Sequence, residues 1–171
     1  MVASSTGQIT LTDCEFDGNI AKLDGGAMNL LAAELLMTSC TFTNNSVDGE
    51  GGAIWASGVC VLTMTTCTVE ENEAALSGGG VLIDTVSSLV GFSTTFHLNT
   101  SGADGGGLAI TQNSNLTLTS CDITENTATG NGGGIMIDSP LLGLLLGTTV
   151  TDNVATGDGG GIWANGGTFQ I

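Results

Sequence analysis

Phe42-Thr43-Asn44-Asn45-Ser46-Val47-Asp48-Gly49-Glu50-Gly51-Gly52-Ala53-Ile54 is the stretch that decides the fold, because its parts return at a fixed interval. The Gly-Gly turn recurs as Asp24-Gly25-Gly26, Glu50-Gly51-Gly52, Ser77-Gly78-Gly79, Asp104-Gly105-Gly106, Asn131-Gly132-Gly133 and Asp158-Gly159-Gly160, in steps of 26, 27, 27, 27 and 27 residues. Self-similarity at such a period marks a repeat architecture, in which residues one period apart stack in columns. An asparagine stands five residues before each turn: Asn19, Asn45, Asn72, Asn99, Asn126 and Asn153. Three residues earlier lies Phe16, Phe42, Val69, Phe96, Ile123 or Val150, and two earlier again a small residue, Cys14, Cys40, Cys67, Thr94, Cys121 or Thr148.

Apolar residues within each period come in pairs two apart, such as Ile54/Ala56 and Leu62/Met64. That is strand spacing, not the three-or-four spacing of a helix. Three short strands per period predict an all-β parallel β-helix of about six coils of 26–27 residues, one domain spanning residues 1–171. Stacking at ~4.8 Å per coil gives a rod of roughly 30 Å. The glycines serve turns of positive φ or close backbone approach. The asparagine column reads as a structural ladder that satisfies buried backbone groups costly to leave unpaired.

The phrases Gly25-Gly26-Ala27-Met28 and Gly51-Gly52-Ala53-Ile54, with Phe16-x-x-Asn19, Phe42-x-x-Asn45 and Phe96-x-x-Asn99, resemble the GGAI/FxxN repeat of the chlamydial-type polymorphic outer membrane proteins. The resemblance runs through all six repeats. Gly stands in place of Ala in the last four turns, and Val or Ile in place of Phe in three repeats. It implies a right-handed β-helix on a secreted or cell-surface protein, often an adhesive passenger.

Composition narrows the function classes. The chain has 17 acidic residues, one lysine (Lys22), no arginine and a formal net charge of −16. Phosphate contacts need Lys and Arg, so nucleic acid is excluded as a partner, and anionic membrane surfaces are disfavoured. The longest apolar run, Leu141 to Leu146, is too short to span a bilayer, so no membrane insertion is expected. No basic, apolar leader opens the chain. Few charges and abundant Thr, Ser, Gly and Asn suit an extracellular or cell-surface chain. Such a repeat without its own export signal reads as a fragment or stacking unit of a longer protein. Partners are then flanking repeats or further copies that meet open β-helix ends. Of five cysteines, Cys14, Cys40, Cys67 and Cys121 share one inward column and read as a ladder of small buried thiols, with a bridge between adjacent coils sterically allowed. Cys60 sits alone in a turn.

Four features are candidate sites. The turn acids Asp24, Glu50, Asp104 and Asp158, with Asp48, offer oxygen ligands that would suit Ca²⁺; no other cofactor is expected. An outward column holds Trp55, Leu82, Met136 and Trp163, an apolar stripe that reads as a ligand or partner face. Asp84 and Asp138 share an outward line two coils apart, roughly 9.6 Å, near the upper range for an inverting carboxylate pair. The turns look too short to wall a cleft around them, and His97 aligns with Glu70 without a nucleophile frame. Thr10/Thr12, Thr63/Thr65 and Thr117/Thr119 form Thr-x-Thr rows broken by Leu36, Val90 and Leu144, a weak ice-binding pattern. Sequons lie at Asn44, Asn99 and Asn115. The expected function is a non-catalytic extracellular structural protein, a stalk or filament segment. The alternatives are a carbohydrate-binding adhesin and, behind it, a polysaccharide-active enzyme.

Overall fold

The computed structural model describes residues 2–4, 8–138 and 140–171. The chain winds through six coils whose strands pair in parallel with their equivalents one coil away. Among the described residues there is no helix. The registers step by 26 or 27 residues, as in Leu62↔Leu35 and Leu62↔Leu89.

Four sheets run along the rod. The first follows the glycine turns, from Val2–Ser4 and Met28–Leu31 through Ile54–Ser57, Val81–Ile83, Leu108–Ile110 and Ile135–Asp138 to Ile162–Asn165. The second is the widest, with five-residue strands Gln8–Thr12, Glu34–Thr38, Val61–Thr65, Ser88–Phe92, Asn115–Thr119 and Leu142–Leu146, then Thr168–Gln170. The third carries the large apolar column in three-residue strands such as Thr41–Thr43 and Thr95–His97. A fourth sheet, absent from the three-strand reading, is built from two-residue strands such as Ser46–Val47 and Glu73–Ala74 just after each asparagine. Strands this short hold one inward residue each, such as Val47 or Ala74, so they show no apolar alternation in the sequence.

The core is one continuous column of inward side chains. Leu30, Met37, Phe42, Ile54, Leu62, Met64 and Phe96 are fully buried, and Phe16 stacks on Phe42 with ring centroids 4.8 Å apart. Each fully buried side chain of this size contributes ~1.5–3 kcal/mol of transfer free energy.

The asparagines form the ladder at the corner between the third and fourth sheets. Asn72 donates from its backbone N–H (3.1 Å) and Nδ2 (2.9 Å) to Asn99 Oδ1, and from Nδ2 to Phe42 O (3.0 Å). Asn45, Asn99 and Asn126 repeat the pattern, so each interior amide spends both its oxygen and its NH₂. The small-residue column has its own task. Cys14, Cys40, Cys67 and Cys121 each point Sγ at the carbonyl two residues back, as Thr94 and Thr148 do with Oγ1. Between donor and carbonyl lies a left-handed corner residue (Asp13, Ser39, Thr66, Ser93, Ser120 or Gly147, φ 47–55°). All five thiols are free. Burial raises the Cys40, Cys67 and Cys121 thiols above their ordinary value, which keeps them protonated and unreactive. Cys60 is not alone in a turn. It is buried in a further ladder, where its Sγ accepts from Ala33 N and its own N–H donates to Ser87 Oγ.

Candidate functional site

The outward side of the first sheet gathers most of the candidate residues. Its strands place Asn29, Trp55, Leu82, Ala109, Met136 and Trp163 in register. These residues do not form a free surface stripe. Leu82 is 1% exposed, Ala109 0% and Met136 5%, in a second small core with Trp55 and Trp163 packed at its two ends. The positive-φ glycines cover it: a Cβ on Gly78 or Gly105 would press on the side chains of Leu82 and Ala109. Of this column only Asn29 and parts of the two tryptophans reach solvent. Sequence alternation assigned the column outward correctly, but gave no sign that the turn folds back over it.

The turn column carries a second side-chain ladder. Asp24 Oδ1 accepts from Glu50 N (3.2 Å), Ser77 Oγ from Asp104 N (3.4 Å), Asp104 Oδ1 from Asn131 N (2.6 Å) and Asn131 Oδ1 from Asp158 N (2.8 Å). A short side chain with an acceptor, whether Asp, Asn or Ser, meets the need. The acids singled out for calcium are therefore partly spent on backbone amides, and Asp48 and Asp158 are exposed. Among the described residues no three His, Cys, Asp or Glu side chains converge with metal-ligand geometry.

Glu50 departs from this ladder. Its longer side chain caps no amide of the next coil; it lies near the buried Trp55 Nε1, which stops short of hydrogen-bond geometry. Burial first, then the charges of Asp24 and Asp84, raise the Glu50 carboxyl above its ordinary value, while the Trp55 N–H pulls it down.

Glu50 also lines a shallow pocket of about 500 Å³ with Asp84, Thr111, Gln112, Asn113 and Asp138. The short turns thus do wall a depression beside the carboxylate pair, contrary to the reading from turn length. Asp84 and Asp138 lie in one column with Thr111 between them and Asn165 beyond. Each carboxylate already holds partners: Asp84 accepts from Thr111 Oγ1 (2.7 Å) and Thr85 Oγ1 (2.9 Å), Asp138 from Asn165 Nδ2 (3.0 Å). The pocket is rich in hydrogen-bond acceptors, with amide and hydroxyl donors interleaved. It suits a hydroxyl-bearing ligand. Gln112 and Asn113, which sequence reading passed over, sit at a corner where both have positive φ (49° and 61°).

The other candidates lie elsewhere. His97 is on the third sheet, paired in register with Glu70 and bonded to Thr124 Oγ1 at 3.0 Å. Of the sequons, Asn99 is fully buried in the ladder, while Asn44 is exposed and donates to Asp17 Oδ1.

The model of the family described as right-handed β-helix region matches residues 1–171, the whole chain. No curated protein and no solved structure matches it.

Proposed function

We propose, for a chain that belongs to the right-handed β-helix family, a non-catalytic structural role as a rod segment, a stalk or filament piece of a secreted or cell-surface protein. The observation that carries this reading is the sameness of the coils. Backbone pairing, asparagine ladder, thiol/hydroxyl column and glycine turns repeat from coil to coil, and a further coil would find the same partners. Within the family, the GGA and FxxN phrases favour the polymorphic outer membrane protein type of repeat, whose members are surface-displayed. The acidic, arginine-free composition agrees with an extracellular setting and leaves neither nucleic acid nor an anionic membrane as a partner. Coils stack on further coils, from flanking repeats or from other copies.

An adhesive role is favoured by one observation, the acceptor-rich pocket lined by Glu50, Asp84 and Asp138. A neutral glycan is the matching ligand, since its hydroxyls can donate to Glu50, Asp84 and Asp138. Catalysis by Asp84 and Asp138 is disfavoured, because both carboxylates are tied to neutral donors of the next coil. Electron microscopy of the purified chain with a glycan-binding screen separates these readings. End-to-end rods and no glycan binding are expected. Persistent monomers at high concentration would overturn the filament, and binding lost in Glu50→Gln and Asp84→Asn would favour the adhesin.

A further inference from the structure

The acids are distributed unevenly around the rod. Of 17 acidic residues, only Glu34 projects from the second sheet, and it is held by Gln8 Nε2 at 2.7 Å. The other three sheets and the corners carry the rest. The widest face of a chain with net charge −16 is therefore almost neutral. It is also partly apolar: Val61 is 41% exposed, Phe92 41%, Leu142 37% and Leu146 48%.

This face alternates by coil. Its central outward column reads Thr10, Leu36, Thr63, Val90, Thr117, Leu144, a small hydroxyl residue and a larger aliphatic one in turn. Such a period of two coils has a geometric consequence. When the face meets a copy of itself through a two-fold axis parallel to the strands, between Val61–Thr65 and Ser88–Phe92, the six five-residue strands pair first with sixth, second with fifth and third with fourth. Every threonine of the column then faces an aliphatic residue: Thr10 opposite Leu144, Leu36 opposite Thr117, Thr63 opposite Val90. The flanking columns follow, with Thr65 opposite Phe92, Thr12 opposite Leu146 and Val61 opposite Ser88. Glu34 faces Asn115, and the two Glu34 carboxylates stay three coils apart. A slip of one coil would instead set Leu36 against Leu144 and Thr63 against Thr117.

We infer that the second sheet is a self-association face, and that two copies of this chain pair through it side by side, antiparallel along the rod axis. Charge selects the occupant. A copy approaching the third sheet, or the corners that carry Asp24, Glu50, Asp104 and Asp158, meets acid with acid, whereas here it meets an almost uncharged surface. Area sets the strength. Six strands of five residues cover about 450 Å² of flat sheet, and the exposed rim residues Val59, Val86 and Leu141 widen it. This lies at the small end of specific interfaces, which makes the dimer reversible on dilution. The pairing is lateral, so it does not rest on the end-to-end stacking proposed above.

Sedimentation velocity across micromolar to millimolar concentration tests it. A concentration-dependent dimer is expected, strengthened by salt as the acidic faces are screened. Val90→Glu, at the seam, weakens it about tenfold or more, because each copy then buries a charge against Thr63. Thr124→Glu, on the third sheet, leaves it unchanged. A persistent monomer, or equal effects of the two variants, overturns the proposal. The double variant Leu36→Cys with Thr117→Cys covers the case in which Val90→Glu fails to fold. These positions are three coils apart, about 14 Å within one chain and too far to bridge, so oxidation gives a chain-to-chain crosslink only in the antiparallel pair. No crosslink, in a variant that dimerises, overturns the arrangement; end-to-end stacking does not bring these positions together.

Discussion

At the scale of the residue, Glu50 is the exception that the columns make visible. Its neighbours along the rod are Asp24 and Ser77, short side chains that cap the next coil's amide, while Glu50 turns toward Trp55 and the pocket. A carboxyl whose affinity for its proton rises on folding stabilises the fold below its unfolded value and loses that contribution as pH climbs through the folded one. Glu50→Gln, which removes the charge and keeps the shape, should therefore stabilise the chain at neutral pH. The gain is about 0.2–1 kcal/mol, the scale of like charges set side by side in a sheet. It should shrink at lower pH, as the pH falls through the raised folded value of the Glu50 carboxyl and the group takes up its proton. Urea midpoints of the two proteins at both pH values check this. An equal gain at both, or a loss at neutral pH, would remove the electrostatic account. The columns also separate what was legible in the sequence from what was not. The Asn ladder was readable because one residue type fills every position. The Cys14-to-Thr148 column was seen only as small, although every member carries an S–H or O–H and every one caps the carbonyl two residues back.

At the scale of the element, the strands of the first three sheets were legible because inward residues alternate in them. The fourth sheet was not, since two residues cannot alternate. The apolar lid over Leu82 and Met136 escaped for a related reason: it is made by a glycine turn, which has no side chain to announce it. The two glycines of each turn do different work. The first has positive φ, 65–72° along the column. The second lies where backbones of adjacent coils meet: a Cβ on Gly79 would strike the carbonyl oxygens of Gly106 and Thr100. Gly79→Ala should cost about 2–3 kcal/mol, the scale of overpacking against groups that cannot yield. Gly18→Ala should cost about 1 kcal/mol, since Gly18 has φ +63° with nothing within 4 Å of its would-be Cβ. Chemical denaturation of the two variants ranks them, and a reversed order would mean that the turn is set by φ alone.

At the scale of the whole molecule, every sheet pairing joins a coil only to the coils directly before and after it. Stability is then nearly a sum over coils and their interfaces, and the number of coils is adjustable provided the period is kept. Deleting residues 84–110 removes one full period and joins Ile83 to Thr111. The remaining columns close up with sensible neighbours: Asn72 meets Asn126, Cys67 meets Cys121, and Ser77 meets Asn131. The five-coil chain should keep a β-rich far-ultraviolet spectrum and a single cooperative melt. It should lose about 1–4 kcal/mol, a coil's share of ordinary domain stability, and be about 4.8 Å shorter by small-angle scattering. Moving the same cut by one residue, to 85–111, retains Asp84 and deletes Thr111, so Asp84 comes directly against Asp138. That variant should be the less stable of the two by about 0.2–1 kcal/mol at neutral pH. Deleting 84–97 removes half a period, throws every later inward residue onto the wrong side and should leave the chain unfolded. A folded half-period deletion would mean that the coils are not held by their columns. Failure of the full-period deletion would show that some coil carries a contact its neighbours cannot replace.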